Sequence, residues 1–187
     1  MDRSPDDEQD LLRRVVQGDV QAFSGLVQRH ADSLFGLGYS LTGNAADAED
    51  VVQETFLAAF RGLRRFEARS SVKTWLYRIL VRQVARHHRA RYRRPAATLD
   101  LAIAAGREPV QPEATEAQDM RLDLTDVLQK LTSEHRHVVV LRELQGLSYA
   151  KIAEILDIPR GTVESRLHRA RESLRQQLKD YIDYLTT

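Results

Sequence analysis

Apolar residues recur at three- and four-residue spacing along almost the whole chain, and no stretch sustains the alternation of a half-buried strand. This period restricts the chain to helices packed on helices, because an apolar helical stripe is stable only when another element covers it. The period is broken once. From Pro95 to about Ala117, three prolines (Pro95, Pro109, Pro112), Gly106, alanines and scattered acids leave no continuous apolar face. We therefore expect an all-α chain of two small helical domains, residues 1–94 and 118–187, joined by a flexible linker over 95–117. The second domain should contain a helix-turn-helix.

In the first domain, Leu11, Leu12, Val15 and Val16 define a short amphipathic helix ending near Gly18. A second helix carries Phe23, Leu26, Val27, His30, Leu34, Leu37 and Leu41 on one face and closes at Thr42-Gly43. Gly36 and Gly38 each weaken it by up to ~1 kcal/mol relative to alanine, which implies tight packing there. Asn44 is placed to cap a third helix, with Asp47 in its first turn where a negative charge suits the helix dipole. That helix should bury Val52, Phe56, Ala59 and Leu63. Ser70 or Ser71 should cap a fourth, beginning near Val72.

With 28 basic and 27 acidic residues the net charge is +1, which argues neither for nor against a polyanionic partner. The distribution says more. Between Arg69 and Arg94 every charged residue is basic, while acids gather at Asp2–Asp10, Asp47–Glu54 and Glu108–Asp126. Such segregation suggests separate faces for separate partners. Arg78, Arg82, Arg86, Arg89 and Arg93 fall at spacings of four, four, three and four and so share one helical stripe, with Leu76, Ile79, Leu80 and Val84 broadly opposite. Trp75 lies on the basic side. Arginines neutralise phosphates, and an aromatic ring offers a stacking platform for an unpaired base, worth roughly 1–3 kcal/mol. The plainer alternative is a solvated cationic face with Trp75 half-buried against a neighbour. The polar loop before it, Phe66 to Ser71, suits hydrogen bonding to an exposed base edge.

The last third carries the most specific motif. Leu147 to Ala153 leads through Asp157-Ile158-Pro159 into Arg160-Gly161-Thr162-Val163-Glu164-Ser165-Arg166, two helices joined by a tight turn. Ser148 is a plausible cap, Ala153 is small where the helices approach, and Asp157 tolerates the left-handed turn conformation better than most residues. Pro159 sets the start of the second helix. Val163 and Leu167 should be buried, and Ser165, His168, Arg169 and Glu172 should point outward. A helix-turn-helix presents such an outer face to the DNA major groove, where arginine pairs with guanine and glutamate accepts from cytosine. The alternative is an ordinary helical hairpin. The stripe through Ala170, Leu174 and Leu178 should continue the second helix.

The chain has no cysteine, so disulfides and thiolate metal sites are excluded, and a reducing cytosol is compatible. No apolar run approaches the ~20 residues that span a membrane, and the acidic start is unlike a signal peptide. Asp50 and Glu54 share a helix face without a histidine at ligand spacing, so no metal or other cofactor is expected. His87-His88, His135 and His137 do not converge on one helix face, and no nucleophile–base pair or phosphate loop is visible. An enzyme is therefore not expected. A free-standing helix-turn-helix repressor stays open, although the first half offers an acidic face and an aromatic-basic helix in place of a dimerisation or ligand domain.

Together the motifs Gly18-Asp19-Val20-Gln21-Ala22-Phe23, Asp47 to Phe56, Thr74-Trp75-Leu76-Tyr77-Arg78-Ile79, and Leu141 to Tyr149 leading into Gly161 to Arg166 resemble the extracytoplasmic-function (ECF) class of bacterial sigma factors. The resemblance covers about residues 10–94 and 118–178. It implies that Asp47, Asp50, Gln53 and Glu54 dock on core RNA polymerase. It implies that Phe66, Ser70, Ser71, Lys73, Trp75, Tyr77, Arg78, Arg82 and Arg86 recognise and open the minus-ten promoter element. It implies that Arg160, Thr162, Glu164, Ser165, Arg166, His168, Arg169 and Arg171 read the minus-thirty-five element. It further implies an anti-sigma factor as regulator and a bacterial cytoplasmic location, with the anti-sigma factor able to hold the chain near the inner membrane. Two positions depart from the family pattern: Arg82 stands where asparagine is common, and Glu164 where a basic residue is usual. A linker of about 20 residues has an r.m.s. span near 25 Å and stretches to about 70 Å. The two promoter elements lie roughly 60 Å apart at ~3.4 Å per base pair. The linker bridges them only when drawn out.

Overall fold

The structure is a computed structural model and describes residues 5–17, 19–63, 66, 70–93 and 124–185. The expected linker over 95–117, the loop residues Glu67–Arg69, and Gly18, Arg94 and Met120 lie outside the described residues. Eight α-helices are described: α1 (Pro5–Val16), α2 (Val20–Thr42), α3 (Ala45–Gly62), α4 (Val72–Arg93), α5 (Leu124–Gln129), α6 (Ser133–Val139), α7 (Tyr149–Leu156) and α8 (Arg160–Leu185). A π-helical turn, Val140–Leu144, follows α6. No strand occurs among the described residues.

Local chemistry sets most of the boundaries. The Asp19 carboxylate accepts from the Gln21 and Ala22 amides and starts α2. Gly43, at φ 74°, ends it in the left-handed conformation, which costs an L-residue ~1 kcal/mol or more. Asn44 Oδ1 accepts from the Asp47 amide and starts α3. Of the two serines before α4, Ser71 is the cap, its Oγ accepting from the Thr74 amide.

The packing of α2 on α3 departs from the expectation in two respects. Gly38 is the close-contact glycine: a Cβ there would stand 3.6 Å from Ala48. Gly36 faces open space, so its position needs no small residue. The α3 residues buried are Ala48, which packs on Gly38, then Val51, Thr55 and Ala59, followed by Leu63. Val52 and Phe56 are only half-buried. Phe56 instead meets the edge of Phe23 at 6.5 Å and 89°.

In the C-terminal unit, Leu131, Val138, Val139, Val140 and Leu141 are buried in one cluster with Ile152, Ile155, Val163 and Leu167 of α7 and α8. Val163, Leu167 and Ala170 of α8 are buried, Leu174 is half-buried and Leu178 is exposed, so the apolar stripe runs out of partners before the helix ends.

The two units share one apolar core. Leu34, Leu37 and Leu41 of α2 and Leu76, Leu80 and Val84 of α4 belong to the same cluster as Leu128, Leu131, Val138, Ile152 and Ile155. Arg136 pins the junction. It is buried, and its guanidinium donates to the carbonyls of Leu128, Gln129 and Leu131 in its own unit and, at 2.8 Å, to Leu41 O at the end of α2. A cation suits that helix C-terminus. Gln129 adds a bond to Ser40 O and lies over Gly43, where a Cβ would stand 2.5 Å from its Cδ.

Candidate nucleic-acid interface

The helix-turn-helix forms as its residues require. Ser148 Oγ accepts from the Lys151 amide and starts α7. Asp157 adopts φ 55°, ψ 49° and ends it. The Pro159 carbonyl accepts from the Thr162 and Val163 amides at the head of α8. Burial of Ile152, Ile155, Val163 and Leu167 between α7 and α8 leaves Arg160, Glu164, Ser165, His168 and Arg169 exposed along the outer side, with Thr162 half-buried. Arg160 Nε donates to Glu164 Oε1 at 3.0 Å, an exposed pair one turn apart that holds the head of α8 in register. Ser165 Oγ donates back to Thr162 O.

Two arginines grouped with this face are engaged elsewhere. Arg166 lies 2.9 Å from Glu134 of α6 and is mostly covered. Arg171 donates to Glu143 of the π turn at 2.7 Å, and that carboxylate raises its pKa further. Both tie α8 to the body of the unit in this structure, which leaves Arg160 and Arg169 as the arginines of the outer face.

On α4, the stripe Arg82, Arg86 and Arg89 is exposed. The helix is anchored by Val72, Leu76, Leu80, Val81 and Val84, all buried. Arg93 lies in α4, but its side chain is outside the described residues. Trp75 is half-buried: it packs on Phe66 with centroids 4.9 Å apart and over Gly62. Phe66 and Trp75 thus form one aromatic ledge beside Ser70, Ser71 and Lys73, at the head of the arginine stripe. Tyr77 departs from expectation. It is only 1% exposed, one of the largest fully buried side chains, with its hydroxyl bonded to Ser33 Oγ and to Gln145 Oε1. Arg78 donates to Glu154 of α7 at 2.8 Å. Sequence reasoning missed Gln145 and Glu154, which lie 68 and 76 residues from their partners and carry no periodic signal linking them to α4.

The acidic face of α3 borders the α4 stripe. Asp50, Gln53 and Glu54 are exposed, and Asp47 lies 3.6 Å from His87 of α4. Asp50, Glu54, Arg86 and His87 line a cleft of about 240 Å³ between α3 and α4. Past the acids the same surface carries Leu57 and Phe60, 49% and 47% exposed. No described group of three or more histidines and acids could hold a metal ion.

The Sigma-70 region 2 family matches residues 26–94 and the Sigma-70 region 4 family residues 121–174. Over 181 residues the chain is 35% identical to the ECF RNA polymerase sigma factor SigW of Bacillus subtilis, covering 90% of this chain and 95% of that protein. The chain belongs to the ECF RNA polymerase sigma factors. Like that family, it acts in transcription initiation and is not an enzyme. Among solved structures it is similar to CnrH in complex with the cytosolic domain of CnrY (29% identity, 93% of this chain and 98% of that one, TM-score 0.68). It is also similar to RpoE in complex with the anti-sigma factor NepR from Bartonella quintana (28% identity, 86% and 98%, TM-score 0.64). In this sigma factor the region 2 match runs from within α2 through α4, and the region 4 match takes in α5 to the first half of α8. No described helix is long and apolar enough to cross a membrane.

Proposed function

We propose that this sigma factor divides its work among three surfaces. Asp47, Asp50, Gln53 and Glu54 on α3 dock on core RNA polymerase. The Phe66–Trp75 ledge with Ser70, Ser71, Lys73 and the α4 arginines Arg78, Arg82 and Arg86 captures and opens the minus-ten element. Arg160, Thr162, Glu164, Ser165, His168 and Arg169 on the outer side of α8 read the minus-thirty-five element. Tyr77 supports α4 from beneath. The functional units are residues 1–94 and 118–187 with 95–117 as the tether, and the protein works in the cytoplasm under an anti-sigma factor.

One observation supports the reading: α4 and α8 each expose arginines and α3 exposes acids, with the α3 acids meeting the α4 stripe at Arg86. An exposed arginine stripe beside half-buried aromatics suits an unpaired strand, because the arginines meet phosphate while a ring meets a base. An arginine and a carboxylate on a helix held by a left-handed turn suit base edges in a duplex groove. Run-off transcription with core polymerase on a randomised promoter library tests the proposal. The expected result is a defined pair of elements selected by the wild-type chain. Glu54→Arg should lose both core binding and transcripts while unfolding at the same urea concentration as wild type. A chain that assembles with core but leaves the choice of start sites unaltered would overturn it.

A further inference from the structure

Between α6 and α7 the chain does not continue as regular α-helix. Val140–Leu144 is a π turn, closed by the Gln145 amide on the Val140 carbonyl at 3.1 Å, and Gly146 follows in the left-handed conformation at φ 65°. Such turns are rare and stand frequently at functional sites. One extra residue in the turn rotates the side chains after it by roughly 100° relative to an unbroken helix.

Two adjacent side chains of opposite charge leave this turn and hold the two helices of the helix-turn-helix. Arg142 Nη1 donates to Leu147 O at 2.8 Å, and its guanidinium lies 5.1 Å over the ring of Tyr149, the first residue of α7. Glu143 Oε1 accepts twice from Arg171 of α8, from Nε at 3.2 Å and from Nη2 at 2.7 Å. The Tyr149 phenol hydrogen-bonds the same guanidinium. Arg142, Glu143, Tyr149 and Arg171 thus form one run of contacts that joins the π turn, the head of α7 and the middle of α8. Glu143 and Arg171 are 46% and 44% exposed, where an ion pair contributes little to stability. What a two-point bond to a guanidinium does fix is direction.

We infer that the π turn is a cradle that sets the seat of α8 for reading a duplex, with Glu143, Arg171 and Tyr149 as its positioning residues. The inference rests on the minus-thirty-five assignment proposed above and assigns Arg171 to a carboxylate instead of a DNA phosphate. The turn at Asp157 decides which side of α8 is exposed, and the cradle decides the angle at which that side is held. Groups that read base edges need a supporting shell that holds them to within about 0.5 Å.

The test turns on a sign. If Arg171 were a phosphate contact restrained by Glu143, removing the carboxylate would free it and tighten duplex binding. If the pair seats α8, the same change weakens binding. Holoenzymes carrying Glu143→Ala, Arg171→Ala, the exchanged pair Glu143→Arg with Arg171→Glu, and Arg169→Ala for comparison are titrated at several salt concentrations. The probe is a duplex bearing the minus-thirty-five element selected in the transcription experiment. Glu143→Ala and Arg171→Ala should each weaken binding by about threefold and leave the slope of log affinity against log salt unchanged. Arg169→Ala should reduce that slope by about one. The exchanged pair should recover wild-type affinity. In the promoter library Glu143→Ala should relax the base preference across the whole element while unfolding at the wild-type urea concentration; a merely structural role would move the urea midpoint and leave the preference. Tyr149→Phe, which removes one hydrogen bond and keeps the ring under Arg142, should shift affinity in the same direction by less, and it carries the test alone if Glu143→Ala does not fold. Unchanged or tighter binding by Glu143→Ala would overturn the inference, as would an Arg171→Ala slope reduced like that of Arg169→Ala. A wild-type holoenzyme indifferent to the minus-thirty-five sequence would sink the function proposed above and the inference with it, whereas a selective wild type with tightened Glu143→Ala would sink the inference alone.

Discussion

The two arginine-bearing helices, α8 and α4, are built from similar residues, and the fold uses them differently. On α8 the buried residues Val163, Leu167 and Ala170 lie on one side, and Arg160, Ser165, His168 and Arg169 are left exposed on the other. On α4 Tyr77 lies in the core and Arg78 is paired to Glu154, while Lys73 and the later arginines are exposed. The helix-turn-helix is a self-contained device whose exposed face follows from its own turn. The head of α4 instead takes partners for Tyr77 and Arg78 from the other unit.

The comparison can be broken most directly at Arg136. Replacing it with alanine leaves carbonyls at Leu41, Leu128, Gln129 and Leu131 without their charged donor, and each such bond is worth about 1.5–3 kcal/mol. Allowing for water entry, we expect Arg136→Ala to destabilise the chain by ~3–5 kcal/mol in urea denaturation. If the units were independent, the loss would be confined to the C-terminal unit and probes in α2 would not move with it.

A second test uses pH. Burial pushes the His137 imidazole down to about 4, with Arg136, His88 and Arg166 disfavouring its charge further, while the Ser133 backbone bond opposes them. Its Nε2 is enclosed without a hydrogen-bond partner. The unfolded chain therefore takes up a proton near pH 6.5 that the folded chain refuses until about pH 4. The stability associated with neutral His137 is complete above pH 6.5 and is lost as pH falls toward 4, by up to ~3 kcal/mol. His137→Leu should flatten most of that slope in urea titrations at several pH values. His30, whose pKa burial also lowers, contributes in the same direction.

The smallest stability effect sharpens the comparison from the other side. Glu164 pairs with Arg160 in full solvent one turn away, so Glu164→Ala should change stability by less than ~0.5 kcal/mol. In the promoter-library assay it should nevertheless alter the preferred base at one minus-thirty-five position, through lost acceptance from cytosine and a freed Arg160. An unchanged preference would show that Glu164 only steadies the helix.

Much of this was readable along the chain. Asp157 in the left-handed region, Ser148 and Asn44 as caps, the closing Gly43 and the buried Val163 and Leu167 all match the expectation drawn from neighbours within a turn or two. The first half of the α3 stripe was read one residue out of phase, since Val51 and Thr55 are buried where Val52 and Phe56 were expected, while Ala59 and Leu63 are buried as expected. Apolar periodicity does not see that α2 presents Gly38 and admits small residues there. Arg166 and Arg171 looked equivalent to Arg169 on composition. Their partners, Glu134 and Glu143, are set by how α6 and the π turn pack against α8.

Helix limits, caps and the helix-turn-helix were legible because each is satisfied by atoms close in sequence, where a hydroxyl, a carboxylate or a left-handed turn acts without distant help. The state of Tyr77 and Arg78 was decided only by tertiary packing. Their partners lie 68 and 76 residues away, and the pin at Leu41 reaches across 95. Contacts that remote depend on which apolar faces find each other once the loop between them has closed, and the residues on either side carry no local record of that choice.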